Sequence, residues 1–172
     1  MRPKHTFTDD PDHQARAAAL RLLARREHSR FELARKLRQR QLPNDIIDTV
    51  LDDYENEGWL SDERFAEVYG RQRREAGYGP VRIRNELQRR GVVFWPAELA
   101  EMTDNDWTFL AITARVKKFG LTALRDNWPE KARQARFLAQ RGFSGEQAER
   151  ALEVSRPDEL PESLRDRLGQ GP

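Results

Sequence analysis

Apolar residues recur along this chain at intervals of three and four, and no segment alternates apolar and polar positions over a strand's length. That is the period of helices burying one face. Ala15, Ala19, Leu22 and Leu23 form one such face on a helix that Asp12 can cap. Ser29-x-x-Glu32 reads as a capping box opening a second helix, with Phe31, Ala34 and Leu37 inward. Pro43 and Asn44 start a third, carrying Ile47, Val50, Leu51 and Tyr54, and Gly58 stops it. Ser61 caps a fourth helix with Asp62 and Glu63 in its first turn, where the macrodipole favours acids. Phe65, Ala66 and Tyr69 face inward on it, and Gly77 ends it. Gly79-Pro80 opens a fifth helix, Val81 to Arg90, closed by Gly91, and Pro96 begins a short sixth. Asp104 or Asn105 caps a seventh, which holds Leu110, Ala114 and Val116 to Phe119 and stops at Gly120. Pro129 opens the eighth, Gly142 closes it, and Ser144-x-x-Gln147 is a capping box for the ninth. From Arg156 onward the proline- and glycine-bearing tail reads as mobile, with a frayed helix over Glu159 to Leu168 as its one regular option.

The pattern repeats. Leu33-x3-Leu37-x2-Arg40-x-Leu42 falls on Ile83-x3-Leu87-x2-Arg90-x-Val92 and then on Gln134-x3-Leu138-x2-Arg141-x-Phe143. A second apolar set follows each time: Ile47/Val50/Leu51, Ala97/Ala100 and Ala148/Ala151/Leu152. The period is about 50 residues, the range of solenoid and array repeats. The fold expected is all-α: three tandem three-helix repeats, over 15–60, 61–104 and 105–155, stacked into an elongated, curved particle. Residues 1–14 are expected to be a flexible N-terminus and 156–172 a polar mobile tail.

Charge carries the same period. Residues 17–42 hold eight basic and two acidic side chains, 43–63 none and eight, and 64–91 eight and three. Residues 92–110 then hold none and four, and 111–141 eight and two. The net charge of +2 hides this alternation. Charged residues reach 35% against 37% hydrophobic, with a mean hydropathy of −0.91. That argues for a thin core spread over much surface. With no cysteine there is no disulfide, thiolate nucleophile or cysteine-based zinc site. No apolar run is long enough to span a membrane, and the first ten residues lack the apolar stretch of a signal peptide. A cytoplasmic protein is expected.

Catalytic signatures are absent: there is no phosphate-binding glycine loop ending in Lys-Ser/Thr, no dinucleotide fingerprint and no nucleophile elbow. His5, His13 and His28 have no partner histidine at helical spacing and read as surface residues without a role. Asp45, Asp48 and Asp52 lie opposite the apolar face of the third helix and read as a solvated face; no metal or cofactor is expected. Phe31, Phe65, Tyr69, Phe119 and Phe137 fit the core, and Trp59, Trp95, Trp107 and Trp128 fall at helix junctions.

What remains is arginine. Only five basic residues are lysine, Lys4, Lys36, Lys117, Lys118 and Lys131. Arginine's rigid fork of donors matches carboxylates and phosphates bidentately. Two readings of the basic stretches stay open: pairing with the acidic helices of neighbouring repeats, or stripes that contact phosphates or an acidic protein surface. Arg25, Arg26, Arg35 and Arg38 in the first repeat, and Arg71, Arg74, Arg82 and Arg89 in the second, are the candidate contacts.

At Leu60 to Val92 a family resemblance enters. Leu60-Ser61-Asp62-Glu63-Arg64-Phe65-Ala66, Arg71, Gly79-Pro80-Val81-Arg82-Ile83, Glu86-Leu87 and Arg90-Gly91-Val92 closely resemble the central motif of the RecX regulatory family. Ser29-x-x-Glu32-Leu33-x3-Leu37, Ile47-x3-Leu51 and Gly58-Trp59-Leu60 are similar to that family's first repeat. Lys117-Lys118, Lys131, Leu138 and Arg141-Gly142-Phe143-Ser144 carry a weaker likeness to its third. Val81 departs from the pattern, standing where a more polar residue is expected, and Trp95-Pro96 makes the start of the sixth helix unusually apolar. The resemblance implies a protein without a catalytic site of its own. It would bind RecA and the RecA filament on single-stranded DNA and restrain its ATPase, strand-exchange and coprotease functions. A monomer is expected. The alternative is a helical-repeat protein that binds nucleic acid, single-stranded DNA included, without RecA.

Overall fold

The structure, a computed structural model, describes residues 10–121, 123–160, 162 and 165. Among these there is no strand. In order come α1 (Pro11–Leu23), α2 (Arg30–Arg38), α3 (Asn44–Asn56), α4 (Asp62–Glu75), α5 (Pro80–Gln88), α6 (Ala97–Ala100), α7 (Asp104–Phe119), α8 (Trp128–Arg141) and α9 (Gly145–Glu153). A 3-10 turn over Pro157–Glu159 follows. α1 thus begins inside the segment expected to be a flexible N-terminus. The helix anticipated over Glu159 to Leu168 lies largely outside the described residues, but Leu160 is buried.

Helix ends follow local chemistry, with shifts of one or two residues from the sequence reading. Asp10, not Asp12, caps α1: its side chain accepts from the Asp12 amide, and Pro11 sits in the first turn. Thr103, not Asp104 or Asn105, caps α7 through a full capping box with Asp106. Both corrections have one cause. Runs of adjacent capping residues (Asp9-Asp10-Pro11-Asp12; Thr103-Asp104-Asn105-Asp106) offer several starts, and the proline or the reciprocal carboxylate selects one. Ser144 and Gln147 form the expected box on α9. Ser29 caps α2 by accepting from the Glu32 amide, but Glu32 does not reach back. Its carboxylate instead meets Arg26 at 3.0 Å and Arg90 at 3.3 Å. Gly58 closes α3 at φ 75°, with the Trp59 amide donating to the Tyr54 carbonyl and the Gly58 amide to Glu55, the wrapped C-terminal motif that favours glycine.

The chain divides into two compact units that cut across the repeats. One takes the residues up to Tyr69 together with Glu86–Pro96, the other Gly70–Asn85 together with the residues from Ala97 on.

In the first unit α1, α2 and α3 pack around Ala15, Ala19, Leu33, Leu37, Ile47 and Leu51. Alanines on α1 let the helices approach closely. Arg16 ties α1 to α3, donating to Asp12 at 2.8 Å and Asp53 at 2.6 Å, while Tyr54 Oη donates to the Arg16 carbonyl. Arg30 reaches Asp52 and Glu55 from the start of α2. Part of the acidic face of α3, expected to be solvated, is therefore neutralised from within the unit. Phe31, expected inward, is 48% exposed and lies over Gly91, whose added Cβ would stand 2.8 Å from Phe31 Cβ.

In the second unit α7, α8 and α9 pack on one another. Trp107, expected at a helix junction, is buried within α7, as are Ala111, Ile112 and Val116. Leu138, Ala148, Ala151 and Leu152 are buried on α8 and α9. The start of α5 lies against the end of α8: the Gly79 and Val81 amides donate to the Arg141 and Gly142 carbonyls at 2.8 and 3.0 Å. A Cβ on Gly142, where φ is 91°, would collide with Arg82 Cβ. Glycine is required there by both conformation and contact. The second apolar set of repeat two is corrected: Ala97 and Ala100 are exposed, and Leu99 is the buried residue of a helix only one turn long.

Candidate functional site

The eight candidate arginines divide by what their side chains already hold. Arg25, Arg35, Arg71 and Arg89 are exposed, and among the described residues no side-chain hydrogen bond or ion pair engages them. Arg26 donates to the Glu27 carbonyl and to Glu32. Arg38 donates to Asn44 Oδ1 at 3.0 Å. Arg74 pairs with Glu98 at 2.5 Å. Arg82 donates to the Gln140 carbonyl and stacks over Tyr78, 4.4 Å from the ring centre. Arg25, Arg26, Arg35, Arg38 and Arg89 belong to the first unit, and Arg71, Arg74 and Arg82 to the second.

Within the first unit the basic residues crowd around Lys36. Burial lowers the pKa of its ammonium, and the charges of Arg26, Arg35 and Arg40 lower it further. Lys36 Nζ lies 2.9 Å from His28 Nε2, and His28 Nδ1 lies 3.0 Å from the Arg26 carbonyl. An ammonium can only donate, so Nε2 accepts and Nδ1 carries the proton toward the carbonyl. His28 is therefore held neutral, its pKa lowered first by burial and then by Arg26 and Lys36. This corrects the reading of His28 as a surface residue: it is 1% exposed and supports the basic cluster from below. Nothing in the spacing of histidines signals this, because its partner is a lysine eight residues on.

The second unit has its own basic groupings. Tyr78 lies beneath three guanidiniums, Arg73 at 4.0 Å, Arg82 at 4.4 Å and Arg141 at 4.9 Å from the ring centre. Arg74, Lys117, Lys118 and Arg141 line a cleft of about 670 Å³. The last three lie outside the predicted contacts: their stretch carries the same charge periodicity but less arginine, so an arginine surplus does not mark them. Trp59 and Trp128 are exposed rather than packed, Trp59 stacked on Tyr54 and Trp128 beside Lys131. Among the described residues no group of three histidine, aspartate or glutamate side chains is placed to hold a metal ion, and no helix is long and apolar enough to cross a membrane. What the arrangement offers chemically is charge: donors aimed outward from two units toward carboxylates or phosphates.

Comparison with known proteins places this geometry. The three three-helix domains of RecX match residues 15–53, 61–93 and 110–152 in order. The chain is 44% identical over 145 residues to a protein of Halorhodospira halophila named regulatory protein RecX, covering 84% of this chain and 89% of that one. It is 44% identical over 138 residues to the regulatory protein RecX of Pseudomonas entomophila, covering 80% and 88%. Among solved structures, RecX from Lactobacillus salivarius superposes with a TM-score of 0.68 at 22% identity, over 83% of this chain and 95% of that one. A second crystal structure, of a regulatory protein RecX, gives 0.66 at 23% identity, over 83% and 73%. At these identities the two structures speak for the fold.

Proposed function

This chain belongs to the RecX family, and from that premise we propose that it binds RecA and the RecA filament on single-stranded DNA and restrains its ATPase, strand-exchange and coprotease activities. The observation that carries the reading is that four of the candidate arginines are exposed and held by no internal partner, Arg25, Arg35 and Arg89 in one unit and Arg71 in the other. A nucleoprotein filament presents protein carboxylates together with DNA phosphates, and the guanidinium fork serves both. Arginines engaged inside the fold, such as Arg16 and Arg30, stabilise helix packing and are not counted toward the partner surface. In this reading the chain acts as a cytoplasmic monomer, without a cofactor or catalytic step, through repeats spanning 15–60, 61–104 and 105–155.

Binding to labelled single-stranded DNA, with and without RecA and across a salt series, tests it. The expected result is weak binding to DNA alone, firm association with the RecA–DNA filament, and a falling rate of DNA-dependent ATP hydrolysis as the chain is added. Tight binding to bare DNA with a steep salt dependence, and no effect on RecA's ATPase, would replace this reading with direct nucleic-acid binding.

A further inference from the structure

We propose that the cleft of the second unit is a docking site for an acidic peptide segment of a protein partner, seated by one apolar side chain. The cleft's volume, about 670 Å³, lies in the range of clefts that hold ligands. Its floor is apolar, made by Leu110 and Ala114 on α7 and Phe137 on α8. Its rim is cationic. Lys117 and Lys118 are exposed on the last turn of α7, and Arg74 and Arg141 line the cleft with them. Glu75 is the one acidic lining residue.

Two features choose the occupant. The four cations outnumber the two carboxylates beside them, Glu75 in the lining and Glu98 on Arg74, and the excess calls for a negatively charged partner. Arg74 and Arg141 spend single donors on Glu98 and on the Ala76 carbonyl, and each guanidinium has five. The floor then separates carboxylates from phosphates. Phe137 meets Phe119 edge-on at 88° and 5.2 Å, and the Arg141 guanidinium lies 5.2 Å from its ring centre. That ring is already engaged twice and offers no stacking platform of the kind single-stranded nucleic acids use. An aliphatic side chain flanked by aspartates or glutamates fills the floor and meets the rim. This surface lies outside the eight candidate arginines apart from Arg74. It deepens the reading above, since it rests on the chain being a protein-binding regulator.

The test is a methyl NMR titration of the full chain with three probes: a short Glu/Asp-rich peptide holding one leucine, the same peptide with glycine for leucine, and a short oligo-dT. The expected result is movement of the Leu110 and Ala114 methyl signals with the leucine peptide and weaker binding of the glycine peptide. Lys117→Glu with Lys118→Glu should weaken the leucine peptide by about tenfold or more, while Lys117→Arg with Lys118→Arg should retain it. Both pairs are exposed, so the melting temperature should hold and report that the fold is intact. The proposal is overturned if no peptide moves those signals at saturation, or if oligo-dT moves them at lower concentration than either peptide. A chain that takes the leucine peptide but not the RecA filament overturns the proposed function and leaves this site standing. One that binds the filament with no change at the cleft does the reverse.

Discussion

Gln134 stands where the two earlier repeats place Leu33 and Ile83, and it is just as buried. A buried amide needs partners. Arg115 supplies one: fully buried on α7, it donates from Nε to Gln134 Oε1 at 2.7 Å and from Nη1 to the Ala151 and Val154 carbonyls at the end of α9. Gln134 in turn donates to Glu130. The apolar frame of the repeat survives here as a polar bridge joining three helices. Arg115→Met should cost about 3 kcal/mol, because it leaves buried acceptors without donors. Gln134→Leu alone restores the repeat's residue but strands the Arg115 Nε–H, so it too should destabilise. The double variant should be more stable than the sum of the two by about 1 kcal/mol or more, measured by urea denaturation; simple additivity would mean the bridge has no energetic content. His28 makes a pH-dependent case. Its folded pKa is lowered, so between that value and the unfolded value of about 6.5 the unfolded chain holds the extra proton. Stability should be full above pH 7 and decline as pH falls below about 6.5, where an imidazolium would face the Lys36 ammonium. A thermal melt series of the parent beside His28→Gln checks this: the difference between them should shrink on acidification, and a constant difference would refute a buried neutral histidine.

At the scale of elements, Leu37 on α2 and Leu87 on α5 hold equivalent places in the repeat frame, and both are fully buried. Either changed to alanine should cost about 2–5 kcal/mol from lost burial and the cavity left behind. Chemical denaturation measures it, and parent-like stability in both variants would break the register drawn between repeats. The helices themselves were legible because their signals are local: the capping serines at 29, 61 and 144 and the glycines at 58, 91 and 142 act within a turn of where they sit. What was not legible depends on contacts distant in sequence. Gly142 reads as a helix stop, yet its second duty, admitting Arg82 at the start of α5, is set by a residue sixty positions earlier. Phe31 looks like a core residue by spacing, but it lies over Gly91 at the surface. α6 fails as a full helix because Ala97 and Ala100 bury too little to hold one, leaving Leu99 as its single anchor.

For the whole molecule, the alternating charge has two causes that sequence alone could not apportion. Some of it is internal. Arg16 and Arg30 meet the acids of α3, Arg64 meets Glu27, and Arg150 meets Asp104. Each such pair joins residues far apart in the chain, which is why composition and spacing could name the basic stretches but not say which arginines were free. The remainder is the outward set, and it permits a sharper variant than reversing every candidate. Arg25, Arg35, Arg71 and Arg89 changed together to glutamate remove cations that hold nothing in the fold, so the melting temperature should stay within a few degrees of the parent. Reversing Arg26, Arg38, Arg74 and Arg82 instead sets carboxylates beside Glu32 and Glu98 and breaks the bond to the Gln140 carbonyl, so that variant should melt lower. RecA's DNA-dependent ATPase then reads the functional half. The first variant should inhibit it far less than the parent does, and parental inhibition should fade as salt rises, because exposed charges are screened within about 10 Å at 0.1 M. A folded first variant that inhibits as strongly as the parent would assign the outward arginines to solubility and move the contact surface to the lysines and Arg141 around the cleft of the second unit.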